Sequence, residues 1–139
     1  DTVTGFAVAT DIIDFTTNGA LVDEAAVTAY AEGALANAAA TTAVFVLSDN
    51  ITVSGAVPTE AEIETYLGAT EIFQTGDTND SIYIVADDGT DTYVMKVTEG
   101  ADGTNKQFDA NDDVGVVIMK LSGIADATTL SADNFADFS

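Results

Sequence analysis

Aspartate side chains at short, regular spacings are the residues of this chain that offer the clearest chemistry. Asp109, Asn111 and Asp113 stand at alternate positions, which is the spacing that opens an EF-hand-type calcium loop. Alternate residues of a tight loop turn inward, so three side-chain oxygens would surround one point. The spacing therefore predicts a site for a hard cation in this segment.

The match to an EF-hand loop is incomplete. Position 6, where the sharp turn needs glycine, is Val114, and position 12, where a bidentate glutamate belongs, is Lys120. A complete EF-hand is therefore excluded. Two interpretations stay open. One is a three-ligand calcium loop completed by backbone carbonyls, water or Asp102, and the other is a plain polar loop.

A second acidic group consists of Asp87, Asp88 and Asp91, which flank Gly89 between two apolar runs. Aspartate and glycine are favoured in tight turns, so the simple interpretation is a hairpin turn. The functional interpretation is a second Ca²⁺ site, shared with oxygen ligands from residues 77–80 of the preceding loop. Both interpretations stay open at this point.

The overall charge gives these carboxylates their context. The chain of 139 residues has 24 acidic and three basic residues, for a formal charge of −21. Clustered carboxylates repel one another at neutral pH unless a cation neutralises them, and oxygen ligands favour hard cations. We therefore predict Ca²⁺ as the bound cofactor. Adaptation to high salt is the alternative explanation of the same acidity.

The residue types that the chain lacks exclude several kinds of chemistry. It contains no Cys, His, Trp or Arg. A Ser–His–Asp triad and a Cys–His nucleophile are therefore excluded, as is zinc or copper held by imidazole or thiolate. Paired carboxylates serve glycosidases, but such enzymes also need a cleft with aromatic platforms, for which this chain has little room. We predict no enzymatic activity.

Charge and hydropathy also exclude partners. Nucleic acid binding needs clustered Lys and Arg, and an anionic membrane surface repels an acidic chain. No apolar run reaches the roughly 20 residues that span a bilayer, so we predict no membrane insertion. Because 47 % of the residues are apolar, the chain can form a core, and we expect a single domain over 1–139.

The first half of the chain predicts strands and two short helices. Residues 1–15 predict two short strands, and 42–47 and 51–57 predict one strand each. Apolar residues at spacings of three and four predict a helix over 23–39. A second helix is predicted over 59–67, where Thr59 and Glu62 have the spacing of a capping box and Gly68 is a suitable stop.

The second half predicts a β-meander. Residues 82–86 and 92–98 predict a hairpin, a polar loop follows over 99–113, and 114–124 predict the longest strand. That last strand is apolar on both faces, so it is either central in the sheet or an edge that another subunit covers. The predicted fold is α+β and predominantly β, an antiparallel sheet or β-sandwich-like domain.

Both ends of the chain resemble RTX-type (repeats-in-toxin) secreted proteins. The opening DTVTGFAVATDIIDF is similar to the segment after the last nonapeptide repeat, although Ala9 stands where glycine is usual. The strand VVIMKLSGI and the later TLSADNF resemble the C-terminal regions of type I secreted adhesins and surface-layer proteins. The resemblance covers roughly 1–35 and 81–139, and 48–75 is a candidate insertion. The matching residues of the opening segment are Asp1, Val3, Phe6, Asp11, Ile13, Asp14 and Phe15.

The resemblance implies an extracellular role. In that family such regions cap a calcium-binding roll and often carry an uncleaved secretion signal, and some belong to proteins that form surface lattices. The nonapeptide repeats are absent here, so their calcium ligands cannot be carried over. We expect a secreted, acidic, calcium-binding structural protein that self-assembles at the cell surface as a homo-oligomer or polymer, with a cell-surface polysaccharide as a candidate partner. The alternative is the C-terminal cap and type I secretion signal region of a larger RTX-type protein or enzyme.

Overall fold

A computed structural model describes residues 1–15, 29–36, 42–73, 81–100 and 106–136 of the chain. Within these ranges the fold is predominantly β, with one α-helix, α1 (Glu60–Leu67), and short 3-10 turns. This agrees with the predicted α+β, mainly β class. The strands are β1 (Thr2–Thr4), β2 (Ile13–Asp14), β3 (Ala29–Gly33), β4 (Thr42–Leu47), β5 (Ser81–Asp87), β6 (Thr92–Thr98), β7 (Val114–Ser122) and β8 (Phe135–Ala136).

Six strands form one sheet in the order β1-β7-β6-β5-β4-β3. The meander β5–β6–β7 is antiparallel, as the hairpin signals predict. The prediction of an antiparallel sheet is wrong for the rest, because β3, β4 and β5 are parallel neighbours and β1 is parallel to β7. The connection from β4 to β5 contains α1, and such a long crossover is what parallel neighbours require. β2 and β8 form a separate parallel pair.

Both faces of the main sheet are buried at its central strands β5 and β6. On one face, Ile63 and Leu67 of α1 pack with Phe45, Ile84 and Met95. The opposite face is covered by the two terminal segments, and there the Phe15 ring stacks on Tyr83 with ring centroids 3.9 Å apart. All seven residues of β5 are buried, which explains its nearly continuous apolar run. The termini therefore belong to the core of the domain.

The predicted helix over 23–39 is wrong where the structure describes it. Ala29–Gly33 form strand β3, which pairs in parallel with β4. Alanine is the strongest helix former, but intrinsic propensity is small beside tertiary contacts, and pairing with the buried strand β4 outweighs it here. Residues 23–28 and 37–39 lie outside the described ranges. The predicted strand over 51–57 is also wrong, because this segment has no regular strand.

Helix α1 forms as its sequence predicts. Thr59 Oγ1 accepts a hydrogen bond from the Glu62 N–H at 3.3 Å, and the Glu62 carboxylate accepts the Thr59 N–H at 2.8 Å. Gly68 ends the helix with φ of 55°, a left-handed value that favours glycine. Hydrogen bonds from Ser54 and Thr59 lower the pKa of Glu62 to about 2. The Ser54 N–H donates to the other oxygen of Glu62 at 2.7 Å, so this part of 51–57 bonds to the helix and not to a neighbouring strand.

The short elements of the terminal regions and the second half are confirmed. The two strands expected in 1–15 are β1 and β2. A 3-10 turn, Ala132–Asn134, lies just before β8. Gly89 turns the β5–β6 hairpin with φ of 84°, and β7 ends at Ser122. Across the described ranges, no helix combines the length and apolar character needed to cross a membrane.

Candidate functional site

Asp87 stands at the end of β5 and is only 2 % exposed. One carboxylate oxygen accepts the Gly89 N–H and the other accepts the Ala127 N–H, both at 2.9 Å. The side chain therefore holds the hairpin turn and ties it to the C-terminal segment, 40 residues away. Both carboxylate oxygens of Asp87 therefore accept hydrogen bonds that stabilise the fold.

Asp88 is bound just as closely to its own turn. One oxygen accepts the N–H groups of Thr90 and Asp91 at 2.9 Å, and the other accepts the Tyr93 hydroxyl at 2.8 Å. Partial burial raises the pKa of Asp88, but the hydrogen bonds outweigh it and hold the pKa below its ordinary value. Burial, together with the bond to Asp88, raises the pKa of Tyr93.

Asp91 completes the turn through a salt bridge to Lys120 on the neighbouring strand β7. The two groups are 2.7 Å apart, and the Asp91 carboxylate also accepts the Gly123 N–H at 2.8 Å. The hydrogen bond from Lys120, followed by that from Gly123, lowers the pKa of Asp91. Lys120 in turn lies 5.6 Å from the centre of the Tyr93 ring. The three aspartates of this turn thus bind protein donors, as the turn interpretation predicts.

The loop before β7 shows the same pattern. Asp113 is buried, and its two oxygens accept the N–H groups of Gly100 and Asp109 at 2.7 Å. Asn111 turns its Nδ2 donor toward Asp109 Oδ1 at 2.6 Å. A calcium ligand at this position would present the amide oxygen instead. The predicted ligands Asp109, Asn111 and Asp113 are neighbours, but they do not converge their oxygens on one point.

The two predicted calcium loops lie at opposite ends of the sheet. Asp87, Asp88 and Asp91 precede β6, whereas Asp109 and Asp113 precede β7, which runs antiparallel to it. Seven residues of β6 separate the ends by roughly 20 Å, so the groups cannot share an ion. Among the described residues, no three acidic side chains are close enough to hold one metal ion. Asp102 and the 77–80 segment lie outside the described ranges.

The long apolar strand β7 has a second feature of interest. Among the described strands, its outer side pairs only with β1, along Lys120–Ser122. Val114 and Val116, in the remaining part, are each 49 % exposed. We call Val114–Val117 the open edge of β7. The sequence predicted a central strand or a covered edge, and β7 combines a covered end with an open one.

Two groups mark the limits of the open edge. At one end, Glu60 Oε1 accepts the Gly115 N–H at 3.3 Å. Next to Ile118, the Asp1 nitrogen donates to the Ile118 carbonyl at 3.0 Å, and the Asp1 carbonyl accepts the Lys120 N–H at 2.8 Å. No local sequence signal pointed to these contacts, because they join residues 55 to 119 positions apart.

An apolar groove lies beside the covered part of β7. Its lining is mostly apolar but includes two polar residues, and Ile12 in it is 60 % exposed. The lining residues are Val3, Phe6, Thr10, Asp11, Ile12, Ile13 and Met119. Exposed apolar side chains therefore lie on β7 before Ile118, at Val114 and Val116, and beside the later part of the strand, at Ile12.

Comparisons of the chain with protein-family models, with curated proteins and with solved structures find no match.

Proposed function

We propose that this chain is an acidic structural module of the extracellular cell surface that assembles with copies of itself through the open edge of β7. The observation that carries the proposal is that the outer side of Val114–Val117 pairs with no strand among the described residues, while two valines of this segment are exposed. Long apolar edges associate with other strands unless something covers them. A second copy of the chain is the partner to which we commit.

The hydrogen-bonding directions of the open edge suit a two-fold contact. The Gly115 N–H bonds to Glu60 and so faces away from β6, and Val117, two residues on, faces the same way. If β7 paired antiparallel with β7 of a second copy, Gly115 of each copy would lie opposite Val117 of the other. Four backbone hydrogen bonds could then form. Val116 would face its own counterpart across the two-fold axis.

The energy of one such contact is small. Val114 and Val116 are each 49 % exposed, and burying this area on both copies would contribute at most about 8 kcal/mol. Association costs about 4–15 kcal/mol in lost freedom, so a single contact would be weak. Weak contacts become effective when each copy makes several of them, as in a lattice or filament.

The charge distribution also favours the open edge of β7 as the contact between copies. The chain carries a net charge of −21, so most surfaces of two copies repel each other. The strands β6 and β7 contain no acidic residue and hold Lys96 and Lys120, two of the three lysines. Contact between copies through these strands therefore brings together segments without acidic side chains of their own, and added salt should reduce the repulsion between neighbouring charges.

Calcium binding stays a prediction. It is supported by the acidic clusters and by the resemblance to RTX-type proteins, whereas Asp87, Asp88, Asp91, Asp109 and Asp113 accept hydrogen bonds from backbone and side-chain donors of the protein. The secreted location also stays a prediction, and it is supported by the resemblance to RTX-type proteins. The alternative function, a cap and secretion signal region of a larger protein, predicts a monomer at all concentrations.

The test is sedimentation velocity over a range of protein concentrations, in millimolar Ca²⁺, in chelator and in added salt. We expect concentration-dependent association of the wild type that Val116→Lys abolishes. Val57→Lys is the matched control, because Val57 is also exposed, at 41 %, and the charge change is identical. Monomers throughout would refute the proposal and favour the alternative, and equal association of both variants would exclude the open edge as the contact. A melting shift with Ca²⁺ would separately test calcium binding.

A further inference from the structure

We infer that Glu60 is a latch on the open edge of β7, which must leave Gly115 before a second copy can pair there. This inference rests on the proposed function and describes its regulation. An incoming strand needs the outward N–H groups of Gly115 and Val117. One of these two donors is already bonded, to Glu60 Oε1 at 3.3 Å.

Glu60 is not needed to cap its own helix. The capping box of α1 uses Thr59 and Glu62, which bond to each other reciprocally. Glu60 is the first residue of α1 and is exposed, and its carboxylate reaches a strand 55 positions away. The contact therefore acts on β7 without being part of the helix cap.

Gly115 brings the strand and the helix close enough for this contact. A Cβ atom at Gly115 would lie 2.9 Å from the Phe108 ring and 3.2 Å from Ile63 Cδ1. Ile63 is on α1, so the glycine allows β7 to approach the helix closely. Glu60 is consequently held beside the edge where pairing would occur.

The latch would oppose pairing in two ways. It occupies one donor, and it brings a negative charge to the two-fold axis from each copy. Strand spacings place Gly115 and its counterpart about 8 Å apart in the two-fold arrangement. Glu60 carboxylates that approach this axis from both copies repel each other over about one Debye length at physiological ionic strength, so salt would weaken this repulsion.

The experiment compares Glu60→Ala, Glu60→Gln and a control, Glu64→Ala, which removes the same charge from the next turn of α1. We expect Glu60→Ala to lower the dissociation constant of the two-fold pair about 25-fold, because each copy loses one competing hydrogen bond and each loss gives about fivefold. Glu60→Gln keeps an acceptor and should have a smaller effect. Glu64→Ala should stay within about twofold of the wild type. Equal constants for Glu60→Ala and Glu64→Ala would overturn the latch.

A second measurement does not depend on association. In dilute monomer, amide hydrogen exchange at Gly115 should become about fivefold faster in Glu60→Ala and stay unchanged in Glu64→Ala. Unchanged exchange in Glu60→Ala would overturn the latch. Suppose that the wild type associates, that Val116→Lys abolishes this association, and that Glu60→Ala leaves the dissociation constant unchanged. The latch is then refuted, and the proposed function is not. If no variant associates, including Glu60→Ala, the proposed function fails.

Discussion

Replacement of Asp87 by asparagine distinguishes a structural carboxylate from a calcium ligand. The carboxylate is 2 % exposed and accepts the N–H groups of Gly89 and Ala127, both at 2.9 Å. Asparagine keeps one acceptor oxygen but turns an NH₂ group toward one of the two N–H donors. The variant therefore loses one charge-assisted bond and leaves a buried donor without an acceptor, at a cost of about 3–5 kcal/mol.

The assay is thermal unfolding in millimolar Ca²⁺ and in chelator. A cost of this size should lower the Tm of Asp87→Asn by about 10 °C, equally in both conditions. Asp126→Asn is the control, because it makes the same chemical change at an exposed cap that bonds to Thr128. We expect a much smaller shift there.

Two results would refute the reasoning about Asp87. If Asp87→Asn melts within about 2 °C of Asp126→Asn, the buried hydrogen bonds do not contribute as argued. If the loss of stability appears only in the presence of Ca²⁺, Asp87 is a calcium ligand and the second calcium site is real.

Two further predictions concern the helix and the close approach of β7. The pKa of Glu62 is lowered from 4.5 to about 2, so its hydrogen bonds stabilise the fold above pH 4.5 and are lost as the pH falls toward 2. The stability difference between wild type and Glu62→Gln should therefore be full at pH 6 and vanish near pH 2, and a difference independent of pH would contradict this. Gly115→Ala should lower the free energy of unfolding by about 1–3 kcal/mol in urea, because its Cβ would meet Phe108 at 2.9 Å. Gly55→Ala, whose Cβ would meet only the Val57 carbonyl at 3.8 Å, should be nearly neutral, and equal losses would rule out the steric argument.

Local signals made part of the fold predictable. Helix α1 has its capping box and its stop within ten residues, and the β5–β6 hairpin has its turn residues between two apolar runs. The strand β3 could not be predicted in this way. Its alanines fit a helix as well as a strand, and the pairing with β4 decides between them.

The candidate sites show a similar limit. Aspartate beside glycine suits a tight turn and a calcium loop equally, so the pattern alone left both interpretations open. The distant donors, such as Ala127 for Asp87, cannot be read from local spacing. The length of β7 was predictable, but its open edge depends on where β1 pairs, and that contact joins residues about 118 positions apart.

Covalent capture through Val116 tests self-assembly at the open edge most directly. The chain has no cysteine, so Val116→Cys introduces a single thiol, and Val57→Cys provides the matched control. In the two-fold pair Val116 faces its counterpart at a Cα separation of about 4.5 Å, which a disulfide can bridge. Under mild oxidation we predict that Val116→Cys forms a covalent dimer and that Val57→Cys stays mainly monomeric. Equal crosslinking of the two variants, or a Val116→Cys protein that remains monomeric, would contradict the proposed assembly.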